Sequence, residues 1–140
     1  MPSDNFLKLM NGVNRLIQRL SGQHLGWSFG GMPVLELTTT GRKSGQPRPT
    51  LLTSPIQVGD CYVVVASRGG DDTHPAWYLN LRDNPAVTVR VRDVTRPMTA
   101  RVATAAERAE LWPRIVADHR NYGGYQERTS REIPLVFLAP

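Results

Sequence analysis

The chain has 140 residues, 40% of them hydrophobic, with a formal net charge of +5 and a pI near 10.0. That length suits one domain around one core, and that hydrophobic content excludes a disordered polyelectrolyte. The positive surplus points to anionic partners such as phosphates, polycarboxylates, acidic lipid or nucleic acid, while a lone cysteine, Cys61, excludes an internal disulfide.

Residues 4–21 predict an amphipathic helix. Phe6, Leu7, Met10, Val13, Leu16, Ile17 and Leu20 fall at helical spacing, with Lys8, Arg15 and Arg19 on the other positions. Such a helix either packs on the domain or lies on an anionic membrane surface. The chain therefore divides into an N-terminal helix, 1–24, and a domain, 25–140, joined through the glycine-rich stretch 22–31. Residues 34–40 and 48–58 predict strands, the second bulged at Pro55. Gly59-Asp60 marks a tight turn. The valine-rich run 61–67 follows as a buried strand in which Cys61 reads as a small hydrophobe.

Pro75 suits the first turn of a short helix to about Arg82, because its missing N–H would be unpaired there anyway, and Asn84-Pro85 ends it. Residues 86–91 alternate, with Val87, Val89 and Val91 on one face. The next strand, 95–102, contains Pro97, which suits an edge or a bulge. Thr104-Ala105-Ala106-Glu107 has capping-box spacing and starts a helix to about His119, which Pro113 is expected to kink or break. Residues 121–131 read as a loop and 133–138 as the last strand. Six strands with segregated helices predict an α+β barrel. No run approaches the roughly 20 apolar residues of a membrane span, and no signal-peptide core is visible, so the expected compartment is the cytoplasm.

Four segments could carry chemistry. Gly41-Arg42-Lys43-Ser44-Gly45-Gln46-Pro47-Arg48 has neither P-loop nor Rossmann order. It does gather Arg42, Lys43 and Arg48 around a tight connection whose glycines let N–H groups face outward, which is either an anion nest or a solvated hairpin tip. Ser67-Arg68-Gly69-Gly70 ends a hydrophobic strand in glycines, so a flat ring can approach the main chain. Trp77 and Tyr78 open the short helix, with His74 beside them as a cap or a proton donor. His119, Tyr122 and Tyr125 recur every three residues and either line a pocket or decorate a surface. Three scattered histidines give no support for a zinc site, and neither a nucleophile elbow nor a carboxylate pair is recognisable. An enzyme built from these parts leaves the hard step to a bound cofactor.

Taken in order, these segments resemble the deazaflavin-dependent nitroreductase family, actinobacterial proteins that use reduced coenzyme F420. The resemblance runs from about Leu25 to Pro140. It is carried by Thr38-Thr39-Thr40-Gly41-Arg42-Lys43-Ser44-Gly45-Gln46-Pro47-Arg48, Val64-Val65-Ala66-Ser67-Arg68-Gly69-Gly70, His74-Pro75-Ala76-Trp77-Tyr78-Leu79-Asn80-Leu81 and Ile133-Pro134-Leu135-Val136-Phe137.

The resemblance implies a split β-barrel of the FMN-binding-protein type. It assigns the coenzyme's phosphate and glutamyl tail to Arg42, Lys43 and Arg48, with Ser44 and Gln46 beside them. It sets the deazaflavin ring against Ala66, Ser67, Arg68 and Gly69, with Ala76, Trp77 and Tyr78 as a wall. Tyr122 and Tyr125 match tyrosines that face the acceptor. Many relatives carry lysine where this chain has Arg68, and His119 stands where the nitroimidazole-activating member has another tyrosine.

The implied reaction is hydride transfer to a quinone-like or other electron-poor small molecule, with Ser67, Tyr122, Tyr125 or His119 holding the developing oxyanion or relaying the proton. A nitroaromatic is a further candidate acceptor. A lipid-soluble quinone would give the basic N-terminal helix a purpose at the inner face of the membrane. The chain is expected to act as a monomer or a homodimer, without nucleic acid. Competing readings are an FMN-dependent reductase on the same barrel, a nucleic-acid-binding module using a charged groove and stacking aromatics, and a coenzyme carrier without turnover.

Overall fold

The computed structural model describes residues 28–140, so the helix expected over 4–21, and any role for it at a membrane, lies outside the described residues. In chain order the elements are β1 (Ser28–Phe29), β2 (Met32–Thr40), β3 (Pro47–Thr53), β4 (Ile56–Val58), β5 (Cys61–Val65), a 3-10 turn (Arg68–Gly70), α1 (Ala76–Asp83), β6 (Ala86–Val91), β7 (Val94–Val102), α2 (Ala105–Asp118), α3 (Arg120–Glu127) and β8 (Leu135–Ala139). Every strand pairing is antiparallel, in the order β1-β2-β6-β7-β8-β5-β4, with β3 on β2. This curled sheet is the α+β split barrel expected from the sequence, with eight strands rather than about six.

Burial explains which runs became strands. Inside the curl, Leu35 and Leu37 of β2, Val64 of β5, Val89 of β6 and Leu138 of β8 pack with Tyr78 and Leu81 of α1. On the outer face of β5 and β8, Val63, Val65, Leu135 and Phe137 pack with Leu111 and Ile115 of α2 and Tyr122 of α3. Strands covered on both faces need apolar residues at every position, which is why β5 and β8 read as continuous hydrophobic runs. Each fully buried leucine or valine contributes about 1.5–3 kcal/mol.

Four expectations need correction. The single strand over 48–58 is two strands with different partners: β3 pairs with β2, and β4 pairs with β5. The corner between them is Ser54, fully buried, whose hydroxyl lies 2.8 Å from the Val63 carbonyl and 2.9 Å from that of Ile56. Residues 121–131 are not all loop, because α3 occupies most of them. A Cβ at Gly123 would stand 3.0 Å from Val116 Cγ1, so glycine here lets α3 close onto α2, and the packing offsets its low helix propensity. Pro113 does not break α2; the break falls at His119, which has the non-helical angles φ −138 and ψ 84. Cys61 is half-buried rather than buried.

Other boundaries lie within two residues of expectation. The capping box is formed: the Glu107 N–H donates to Thr104 Oγ1 at 3.2 Å, and the Thr104 N–H donates to Glu107 Oε1 at 2.9 Å. Pro97 sits on a strand that is interior by order, yet the β7–β8 ladder spans only Thr99 to Val102. At Pro97 the strand is therefore one-sided, and the missing N–H costs no ladder bond on that side.

Candidate functional site

The turn between β2 and β3 is tied by its own backbone. The Gly41 N–H donates to the Gln46 carbonyl at 2.8 Å, and the Gly45 N–H donates to that of Gly41 at 2.8 Å. Ser44 Oγ accepts from the Gln46 N–H and from Arg48 Nη2, both at 3.2 Å. One long-range tether anchors the turn: buried Asn80 of α1 accepts from the Arg42 N–H at 3.1 Å and donates to Thr39 Oγ1 at 3.1 Å. An open cleft of ≈ 350 Å³ results, with Arg42, Lys43, Ser44 and Arg48 on one wall and Ala76 and Trp77 on the other. Among the described residues, no carboxylate pairs with Arg42, Lys43 or Arg48. Gln46 supports the turn through its main chain and stands outside the cleft lining.

Ala66 to His74 is a second loop, beside the barrel's open side. Ala66 is fully buried, Ser67 half-exposed, and Gly69 and Gly70 take positive φ. Arg68 also takes a left-handed conformation, φ 46, which is costly for a residue with a Cβ, and its guanidinium is paired with buried Asp71. Gly70, φ +84, lies under α3; a Cβ there would come within 2.6 Å of the Tyr125 carbonyl oxygen. Tyr78 is buried and stacks on His74 with ring centroids 4.7 Å apart. Burial, followed by the charges of Arg131 and Arg82, pushes the His74 pKa down from its ordinary 6.5.

A second cleft, ≈ 190 Å³ and mostly apolar, opens where α3 faces β3. Met32, Val34, Leu51 and Val65 line it with Ser67, Tyr122 and Tyr125. Tyr122 is buried, and its hydroxyl is 3.2 Å from Thr53 Oγ1. Burial raises its pKa, so the phenol keeps its proton well beyond neutral pH. Tyr125 meets Tyr122 edge-on at 5.9 Å between centroids. His119 packs edge-on behind Tyr122 at 6.3 Å and is not part of the cleft lining.

The two clefts adjoin along β3, since Pro49 and Thr50 line the first and Leu51, Leu52 and Thr53 line the second. Sequence reasoning brought Arg42, Lys43, Ser44, Arg48, Ala76 and Trp77 to one side, and Ser67, Tyr122 and Tyr125 to the other. It missed Asn80, Thr53 and Arg131. Thr53 reads as an ordinary strand residue, and nothing local marks Arg131 among the seventeen Lys and Arg of the chain. Asn80 did carry a signal, because a polar residue on the buried face of a short helix needs partners.

A split barrel with a cation-lined cleft and an apolar aromatic one, both lined by β3, is suited to a flat, anionic ligand, and the relatives of this chain are reductases. Among solved structures, an "F420-H2 Dependent Reductase (FDR-A)" aligns with 76% of this chain and 93% of its own at 40% identity and TM-score 0.66. A chain solved as a domain-swapped dimer aligns over 91% of this chain and 98% of its own at 33% identity and TM-score 0.67. A Clostridium acetobutylicum protein of the pyridoxinephosphate oxidase family shares the fold at 12% identity and TM-score 0.53, covering 90% of this chain and 84% of its own.

The sequence profile of the family described as F420H(2)-dependent quinone reductase matches residues 10–140. The Mycobacterium tuberculosis protein F420H(2)-dependent quinone reductase Rv1261c is 44% identical over 112 residues, 78% of this chain and 74% of its own. The chain belongs to the F420H(2)-dependent quinone reductase family. It is an oxidoreductase whose cofactor is coenzyme F420 and whose reaction is hydride transfer from the reduced coenzyme to a quinone-like acceptor. The donor set suits that coenzyme: Arg42, Lys43 and Arg48, without a carboxylate partner among the described residues, can meet phosphate and carboxylate oxygens, and Trp77 offers a flat wall. Among the described residues, no helix is long and apolar enough to cross a membrane.

Proposed function

We propose that the anionic tail of the coenzyme occupies the cleft at Arg42, Lys43 and Arg48, that its ring lies against the main chain of residues 67–69, and that the quinone-like acceptor enters the apolar cleft beside Tyr122 and Tyr125. The observation that carries this reading is the contiguity of the two clefts along residues 49–53. A tail site and an acceptor site must adjoin if one ligand is to bridge them.

When bound, the reduced coenzyme supplies the hydride. The chain supplies position, dryness and proton control. Arg42, Lys43 and Arg48 are exposed here, so each charge-assisted contact to the tail contributes about 1.5 kcal/mol, the low end of its range, until the ligand itself covers them. The apolar lining of the second cleft excludes water from the acceptor. Ser67 makes no side-chain cap to the 3-10 turn and lines the acceptor cleft, which leaves its hydroxyl to donate to a developing oxyanion. Tyr122, whose hydroxyl is engaged with Thr53, holds the shape of the cleft together with Tyr125, and His119 supports Tyr122 from behind.

A fluorescence titration with the oxidised coenzyme tests the tail site. Arg42→Ala with Lys43→Ala should weaken affinity at least about tenfold and leave the melting temperature unchanged, since two exposed contacts are lost. Unchanged affinity would remove these residues from the coenzyme site.

A further inference from the structure

Arg131 follows α3 and precedes β8, and its single guanidinium spans the whole loop against which the ring is proposed to lie. Nε donates to the Asp71 carbonyl at 2.8 Å. Nη2 donates to the carbonyls of Ser67 at 2.8 Å and Ala66 at 3.2 Å. Nη1 donates to the Ala66 carbonyl at 3.2 Å and lies 3.1 Å from His74 Nδ1. A guanidinium only donates, so Nδ1 must accept, and the His74 proton sits on Nε2. In a trans peptide the C=O and N–H point in opposite directions. Carbonyls of Ala66 and Ser67 turned onto Arg131 therefore turn the N–H groups of Ser67 and Arg68 away from it. The clamp thus sets which way the loop's main-chain donors face.

We propose that Arg131 is a positioning residue for hydride transfer, fixing the peptide orientations of the ring-facing loop through three carbonyls with neutral His74 as its fourth acceptor. This rests on the placement of the ring argued above. The planar fork is essential, because lysine offers a point charge that cannot hold carbonyls in a fixed plane. Locally, the left-handed Arg68 and the two glycines after it are held by the Arg68–Asp71 pair and two backbone bonds, and the outside tether adds the hold on the Ala66 carbonyl.

The clamp also responds to protons. Around His74 stand Arg131, the Tyr78 ring and Arg82 of α1; around Arg131 stand Asp71, Asp72 and Arg68. Asp71 is already paired with Arg68. A proton on Nδ1 replaces the acceptor with a donor and adds a cation beside two others. The folded protein binds that proton less readily than the unfolded chain, so the clamp is complete above the ordinary pKa of 6.5 and is lost as pH falls below the lowered folded value.

Amide exchange of the full chain without coenzyme reads the loop directly. Arg131→Lys should lower protection of the Gly70 and Asp71 amides, which bond to the Ser67 and Arg68 carbonyls, by at least about tenfold. With saturating reduced coenzyme and menadione, kcat should fall at least about tenfold, while coenzyme affinity stays within about threefold because the basic cleft is untouched. Unchanged protection overturns the clamp; lost protection with unchanged kcat overturns the positioning role. Wild-type protein that fails to bind the coenzyme sinks the ring placement, and the positioning role with it, whatever the exchange shows. His74→Phe, which keeps a ring on Tyr78, should abolish the loss of loop protection expected of the wild type as pH falls below the lowered folded pKa of His74. A variant that retains that acid response overturns the part assigned to His74.

Discussion

The turn at residues 41–46 and the loop at residues 66–74 are both assigned above to the proposed coenzyme site, but they are held differently. The turn closes on itself through Gly41, Ser44, Gly45 and Gln46, and Asn80 ties it to α1. The loop has two short backbone bonds of its own, from the Gly70 and Asp71 N–H groups. Beyond these and the side-chain contacts of Arg68 and Asp71 within the loop, its supports come from some sixty residues away: Arg131 on three carbonyls, Arg128 Nη1 on the Gly69 carbonyl at 3.5 Å, and Tyr125 over Gly70. The tail of a flexible ligand tolerates a locally built, solvated cradle. A ring that must present one carbon to an acceptor at about 3–3.5 Å needs a scaffold fixed by the whole fold.

That contrast can be broken at its strongest point by Gly70→Ala. The new Cβ would press on the backbone of α3 and force alanine into φ +84, so destabilisation of about 2 kcal/mol or more is expected, with activity lost while coenzyme-tail affinity survives. Denaturant melts and the fluorescence titration, run side by side, separate the two. Alanine tolerated here with full turnover would mean that the loop is not set by α3.

Asn80→Ala comes next. It removes the one long-range tether of the basic turn and strands the Thr39 hydroxyl in a buried site, at a cost of about 1–2 kcal/mol. Coenzyme affinity should drop several-fold (roughly threefold to tenfold) as the Arg42 backbone loosens. An affinity equal to wild type would show that the turn needs nothing beyond its own bonds. The smallest effect is expected for Ser44→Ala, which deletes two exposed contacts inside the turn: less than about 0.5 kcal/mol of stability, and a change in affinity that the titration barely resolves. A large loss would turn Ser44 from a turn-former into a ligand contact.

The same division decides what could be read from the chain. β6 was legible to the residue because Val87 and Val89 alternate with polar positions, and α2 began where Thr104 and Glu107 announced it. The cluster of cations was legible because its charges and glycines lie within eight consecutive residues, while its pairing with Ala76 and Trp77 was implied by the family resemblance. Residues 121–131 were misread because Gly123 and Gly124 lower helix propensity, and only contact with Val116 shows why a glycine belongs there. The run over 48–58 was misread because Pro55 was taken as a bulge within one strand. The chain changes partner at Ser54, whose hydroxyl is captured by Val63, nine residues away on another strand.

By itself, then, the sequence determined the β barrel, its main caps and turns, and the clustering of cations at one turn, since these follow from periodicity, capping chemistry and charges close along the chain. The tertiary structure alone decided that Tyr122 and Ser67 share a cleft, that neighbouring residues of β3 line this cleft and the cationic one, and that Arg131 donates to three carbonyls of the loop at 66–74. Those are meetings of side chains far apart in the chain, and a one-dimensional pattern holds no information about which distant donor a buried carbonyl will find.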